Sequence, residues 1–140
     1  SMNTVLVQEI VRYNRLLEVV KISLMNFKKA IKGIVVMSED LEKMGNSLYN
    51  NQVPKMWADR GFLSLKPLSS WLEDLIKRVS FLSDWVEHGT PKVFWISGLF
   101  FPQAFITGML QNYARKDVIA IDKVSFDFVY MDQTTAAEVK

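Results

Sequence analysis

One small group of residues near a predicted helix end could support catalysis: Tyr113, Arg115 and Asp117. A phenol, a guanidinium and a carboxylate within five positions could transfer a proton or stabilise charge at a shared site. Nothing in the surrounding sequence orients or activates these groups. We therefore rank an enzyme hypothesis behind the two hypotheses described below.

Adjacent acids form a second candidate for acid–base chemistry. Neighbouring residues on a helix point in directions that differ by about 100°, so adjacent acids do not face one substrate. Each pair also has a basic residue four positions later, which favours ion pairs on outer helix faces. The predicted surface pairs are Glu39–Lys43, Glu73–Lys77 and Asp74–Arg78. The acids Glu39, Asp40, Glu73 and Asp74 are thus predicted to be solvated and not catalytic.

Sites for phosphate or metal are absent from the sequence pattern. A P-loop needs glycines upstream of a Lys-Ser or Lys-Thr pair, whereas Lys32-Gly33 lies in a helical stretch without such a glycine. The sequence has no cysteine, and His88 is its only histidine. A metal site would need several converging ligands, so His88 is predicted to be an ordinary helix-end residue. We predict no catalytic, cofactor-binding or metal-ligating residue in this protein.

Composition restricts the remaining function classes. The 140 residues are one domain's length, 49% are hydrophobic, and the formal net charge is +2 with the basic residues scattered. This distribution predicts neither a nucleic acid nor a membrane partner. The longest apolar runs, at 33–37 and 93–101, are shorter than the ~20 residues of a membrane-spanning helix. Absence of cysteine suits a reducing intracellular compartment.

Amphipathic patterns predict several packed helices. The longest stripe has spacings of four and three, typical of one helical face, and leaves charges and amides, Glu9 among them, on the wet faces. It comprises Leu6, Ile10, Tyr13, Leu17, Val20, Leu24, Phe27 and Ile31. A second helical pattern covers 34–48. Residues 50–67 read as a connector around Pro54, with Trp57 and Phe62 as anchors onto the core.

The second half of the sequence predicts two further helices and two short strands. One helix follows Pro67 and ends at His88 and Gly89, and the other runs from Pro102 to Lys116. Residues 93–97 form a short apolar run, which predicts a buried strand. Residues 124–130 alternate apolar and polar side chains, which predicts a second strand. The fold class is therefore mainly α with minor β.

Several sequence motifs resemble one known family. The run PKVFWISGLFFPQAFITG at 91–108 leads to QNYARK at 111–116, and together they resemble the C-terminal domain of axonemal dynein heavy chains. Supporting segments are NQVP at 51–54 with Trp57, SLKPL at 64–68, AIKG at 30–33, and QE, RYN and LL within the first helix. The resemblance covers most of residues 3–131 and points to the ciliary branch, because cytoplasmic dyneins diverge in the WISG and NYARK regions.

The resemblance implies a non-catalytic structural or regulatory piece of an ATP-driven microtubule motor that powers ciliary or flagellar beating. In that family the domain lies against the AAA+ ring, while ATP and Mg are bound in other modules and microtubules at a separate stalk. The resemblance also implies that other dynein subunits bind the parent heavy chain. It implies a location in the cytoplasm, in the cytoskeleton of the ciliary axoneme. The resemblance makes residues 3–131 the first part of a larger α+β domain. By sequence alone, residues 1–2 are predicted to be an expression scar, and residues 132–140 a tail.

An alternative hypothesis requires no motor. An amphipathic helix can bind a partner helix through the exposed part of its apolar stripe. The long 6–31 stripe could serve this purpose in a helical adaptor module for protein–protein interaction. Binding of a peptide without any motor ring would favour the adaptor.

Overall fold

Helices provide most of the regular structure, as the sequence predicts. The computed structural model describes residues 1–133 and 135–139. In this part of the protein the α-helices are α1 (Met2–Ile31), α2 (Glu39–Tyr49), α3 (Lys55–Ala58), α4 (Leu68–His88) and α5 (Pro102–Lys116). Short 3₁₀ turns occur at Ile96–Gly98, Ile121–Lys123 and Ala136–Glu138. None of the described helices is both long enough and apolar enough to cross a membrane.

Gly33 ends α1, which corrects the predicted second helix. Its φ is +73°, its N–H donates to the Ala30 carbonyl at 3.0 Å, and the Ile34 N–H donates to the Lys29 carbonyl at 2.9 Å. This is the Schellman arrangement that closes a helix with a left-handed residue. The helix predicted over 34–48 therefore begins only at Glu39, after Ser38, whose hydroxyl accepts the Leu41 N–H at 3.3 Å.

Asn51 joins the end of α2 to the start of α4. Its φ of +54° closes α2, and the Gln52 N–H donates to the Ser47 carbonyl at 2.8 Å. Its own carbonyl accepts the Leu68 N–H at 2.9 Å and its side-chain oxygen accepts the Ser69 N–H at 3.1 Å. Two donors at the α4 N-terminus that have no partner within the helix are thereby satisfied. The connector 50–67 is confirmed as a link, although it also contains the single turn α3, which the sequence reading missed.

The protein packs as two compact units, of which one comprises residues 10–80. Its buried hydrophobic side chains belong to the helices and to the connector. They are Tyr13, Leu16, Ala30, Met44, Trp57, Phe62, Trp71 and Leu75. Trp57 and Phe62 are thus confirmed as anchors. The Trp57 Nε1–H donates to the Ser23 hydroxyl at 2.8 Å, so the buried indole retains a hydrogen-bond partner.

The other unit comprises residues 1–9 and 81–140. Its buried hydrophobic residues are Val5, Leu82, Trp85, Leu99, Phe105 and Ala114. The Phe94 ring lies 5.1 Å from the Trp85 ring and 4.8 Å from the Phe105 ring, which ties the segment after α4 to α5. Gly108 permits close approach of α5 to α1, because a Cβ at this position would lie 3.3 Å from Cγ2 of Val5.

Neither predicted strand is confirmed, and no strand occurs in the described residues. At 93–97 the backbone is irregular and enters the Ile96–Gly98 turn, with Val93 and Ile96 partly exposed and Trp95 half-buried. At 124–130 Val124 has extended dihedrals, yet no neighbouring segment within the described residues pairs with it. A short apolar run or an alternating pattern specifies side-chain placement, whereas a strand also needs a hydrogen-bonding partner.

Val118 ends α5 in a strained conformation. Its φ is +54°, and the Ile119 N–H donates to the Ala114 carbonyl at 2.9 Å. A β-branched residue in the left-handed region is a conformational outlier, at a cost of about 1–2 kcal/mol. We predict that Val118→Gly raises the free energy of unfolding by about 1 kcal/mol, since the exposed side chain loses little packing. Urea denaturation measures this change.

The control for Val118 is Ala120→Gly. Ala120 is exposed and has ordinary dihedrals of −65° and 133°, so glycine there only increases the entropy of the unfolded state. Ala120→Gly should lower stability slightly. Equal destabilisation by both substitutions would show that Val118 is not strained.

Candidate interaction surface

The structure does not assemble the residues that suggested catalysis. Tyr113, Arg115 and Asp117 are exposed at the end of α5. The Asp117 backbone N–H caps the helix by donating to the Tyr113 carbonyl at 3.1 Å. Within residues 1–133 and 135–139 no hydrogen bond or ion pair joins their three side chains. They occupy ordinary positions at a helix C-terminus. There the positive charges of Arg115 and Lys116 interact favourably with the helix dipole.

The acids predicted to line outer helix faces separate into two kinds. Glu39 pairs with Lys43 at 2.6 Å on the exposed side of α2, which confirms that surface pair. Asp74 and Arg78 also pair, at 3.3 Å, but their side chains are only 8% and 10% exposed. The prediction that this pair decorates an outer face is therefore wrong. The predicted pair of Glu73 with Lys77 is not formed in the described structure.

Arg78 is the centre of a buried polar network in the 10–80 unit. Its guanidinium lies 3.8 Å from the centroid of the Phe62 ring, and Nη1 donates to the Tyr13 hydroxyl at 3.2 Å. Nε faces Asp74 Oδ2, which the ammonium of Lys66 also approaches at 3.4 Å. Arginine suits this position because its planar cation can stack on a ring and pair with a carboxylate simultaneously. The network joins α1, the connector and α4.

An exposed pair provides a contrast to this buried one. Lys55 Nζ donates to Asp59 Oδ2 at 2.8 Å across one turn of α3. The hydrogen bond and charge of Asp59 raise the pKa of Lys55 above its ordinary value. Because both side chains are mostly exposed, solvent screens their attraction despite the short distance.

Glu9 forms the second buried polar contact, in the unit of residues 1–9 and 81–140. Glu9 is 1% exposed. Its two carboxylate oxygens accept the backbone N–H groups of Phe100 and Phe101, at 2.7 and 3.0 Å. These amides immediately precede α5, so the negative charge also lies near the positive end of that helix. The carboxylate thereby fixes the backbone direction into α5.

The position of Glu9 corrects the predicted face of α1. The structure buries Val5, Glu9, Tyr13, Leu16, Ser23 and Ala30, which lie about one residue before most of the predicted stripe. Of the predicted stripe, only Tyr13 is fully buried, most other members are half-buried, and Ile31 is 64% exposed. The buried residues have the same helical spacing as the predicted stripe, but they include Glu9 and Ser23. A pattern defined by apolar residues alone does not detect this face.

Glu9→Ala should lower the free energy of unfolding by about 1.5–3 kcal/mol, because two backbone donors lose a charged acceptor. Thermal or urea denaturation provides the measurement. Glu18→Ala is the matched control, since Glu18 is an exposed acid on the same helix and its replacement should have little effect. If both variants unfold at the same denaturant concentration, the carboxylate does not stabilise the α5 junction.

Exposed apolar side chains mark three surfaces that a partner could cover. The first is the 31–37 turn, which contains Ile31, Ile34, Val35, Val36 and Met37. The second is the connector, where Leu63 and Leu65 are fully exposed. The third is the 118–131 segment, where Val118, Phe128 and Tyr130 are almost completely exposed. Exposed apolar side chains that form a patch are typical of protein–protein contact sites.

The described residues form neither a metal site nor a phosphate site. No group of three or more His, Cys, Asp or Glu residues comes together there. His88 is exposed at the end of α4. At Lys32-Gly33 the amides of Gly33 and Ile34 are already bonded to α1 carbonyls, so they do not form a cradle for phosphate.

Comparison with known proteins identifies the family. The family model of the C-terminal domain of dynein heavy chains matches residues 1–140, the full length of the sequence. The protein belongs to this family of dynein C-terminal domains. This membership confirms the family resemblance that was based on the 91–116 motifs. It contradicts the alternative hypothesis, in which the protein is a helical adaptor module outside any motor. The predicted adaptor surface is also mostly half-buried in the structure.

The relatives are heavy chains of axonemal dyneins. Human dynein axonemal heavy chain 1 is 62% identical over 131 residues, which cover 94% of this sequence and 3% of that protein. The mouse dynein axonemal heavy chain 1 is 57% identical over 140 residues, covering 100% of this sequence and 3% of the relative. Human dynein axonemal heavy chain 6 is 51% identical over 142 aligned positions that cover 99% of this sequence and 3% of that protein. The 140 residues thus span about 3% of the length of these dynein heavy chains.

Proposed function

We propose that this protein is a non-catalytic structural and regulatory part of an axonemal dynein heavy chain and packs against the AAA+ ring of that motor. The observation that carries the proposal is the family match over residues 1–140, together with 51–62% identity to axonemal heavy chains. Residues 3–131 form the first part of the domain in this proposal. The motor works on microtubules in the axoneme of a cilium or flagellum, with ATP and Mg bound in other modules.

Exposed apolar residues support a role in packing. The 31–37 turn, Leu63 with Leu65, and the 118–131 segment offer three apolar surfaces, while the buried networks around Arg78 and Glu9 stabilise the units that carry them. A domain with stable internal packing and apolar surfaces is suited to rigid contact with another body of the same protein. Other dynein subunits would meet this domain through the assembled heavy chain.

The proposal is tested by deleting residues 3–131 from an intact axonemal heavy chain. ATP hydrolysis by the ring should persist, because the nucleotide sites lie elsewhere, whereas its stimulation by microtubules should change. A steady-state ATPase assay with and without microtubules measures both quantities. Complete loss of basal hydrolysis by a correctly folded ring would contradict the non-catalytic role.

The 140-residue protein alone should not bind ATP. The amides at Lys32-Gly33 are occupied by the cap of α1, and the sequence lacks the Lys-Ser or Lys-Thr pair of a P-loop. Isothermal titration calorimetry with Mg-ATP should therefore show no saturable heat. Saturable binding at micromolar concentration would contradict this prediction.

A further inference from the structure

We draw no further inference here: the strongest candidate, the apolar cavity between α5 and the 126–131 segment together with the exposed side chains of that segment, carries no proposal because nothing in the structure shows what covers it.

Discussion

Replacing Asp74 by alanine is expected to lower the free energy of unfolding by about 3–5 kcal/mol, because it removes the buried carboxylate that pairs with the Arg78 guanidinium. The Tyr13 hydroxyl and the Phe62 ring also contact the Arg78 guanidinium, but neither is a carboxylate that could replace Asp74. Lys66 would lose the same partner. Chemical denaturation monitored by tryptophan fluorescence measures the change.

Asp59→Ala provides the control for Asp74. Its ion pair with Lys55 is shorter, at 2.8 Å, but it is exposed to solvent. Burial and not distance should decide the effect, so Asp59→Ala should leave stability nearly unchanged. Similar losses in the two variants would contradict the importance assigned to the buried network.

Trp71→Ala should have an effect of similar size, about 3–5 kcal/mol, because it removes a fully buried aromatic side chain. The Trp71 ring stacks between two neighbours, 6.0 Å from the Trp57 ring and 5.4 Å from the Phe62 ring. Its removal would leave a cavity beside the Arg78 network. The measurement is the urea midpoint together with the slope of the unfolding transition.

Trp95→Ala is the matched comparison for Trp71. Trp95 is only half-buried and lies in the irregular 93–97 segment, so the lost packing should be smaller. A loss from Trp95→Ala as large as that from Trp71→Ala would show that the unit of residues 1–9 and 81–140 depends on Trp95 far more than its burial indicates.

Helices with local start and stop signals could be predicted from the sequence. Pro102 begins α5, and Gly89, with φ of +86°, follows the last residue of α4. These signals act within a few residues, so the sequence contains the necessary information. The sequence pattern places Gly33 within a helical stretch, whereas the left-handed conformation of Gly33 ends α1.

Features that depend on distant contacts could not be predicted in the same way. The buried position of Glu9 depends on amides more than ninety residues later, and the buried pair of Asp74 with Arg78 depends on Phe62 and Tyr13. The predicted strands failed for the same reason, because alternation cannot specify a pairing partner. By contrast, the 91–116 motifs identified the family. A long specific motif distinguishes one family from others, whereas hydrophobic periodicity indicates only the type of secondary structure.

Association of this domain with the remaining motor ring is the most direct test of the central claim. The measurement is sedimentation velocity of the 140-residue protein mixed with an axonemal dynein ring that lacks its C-terminal domain. Our account predicts that the domain sediments with the ring in a one-to-one complex. Separate sedimentation of domain and ring over the full concentration range, with both components folded, would contradict the account.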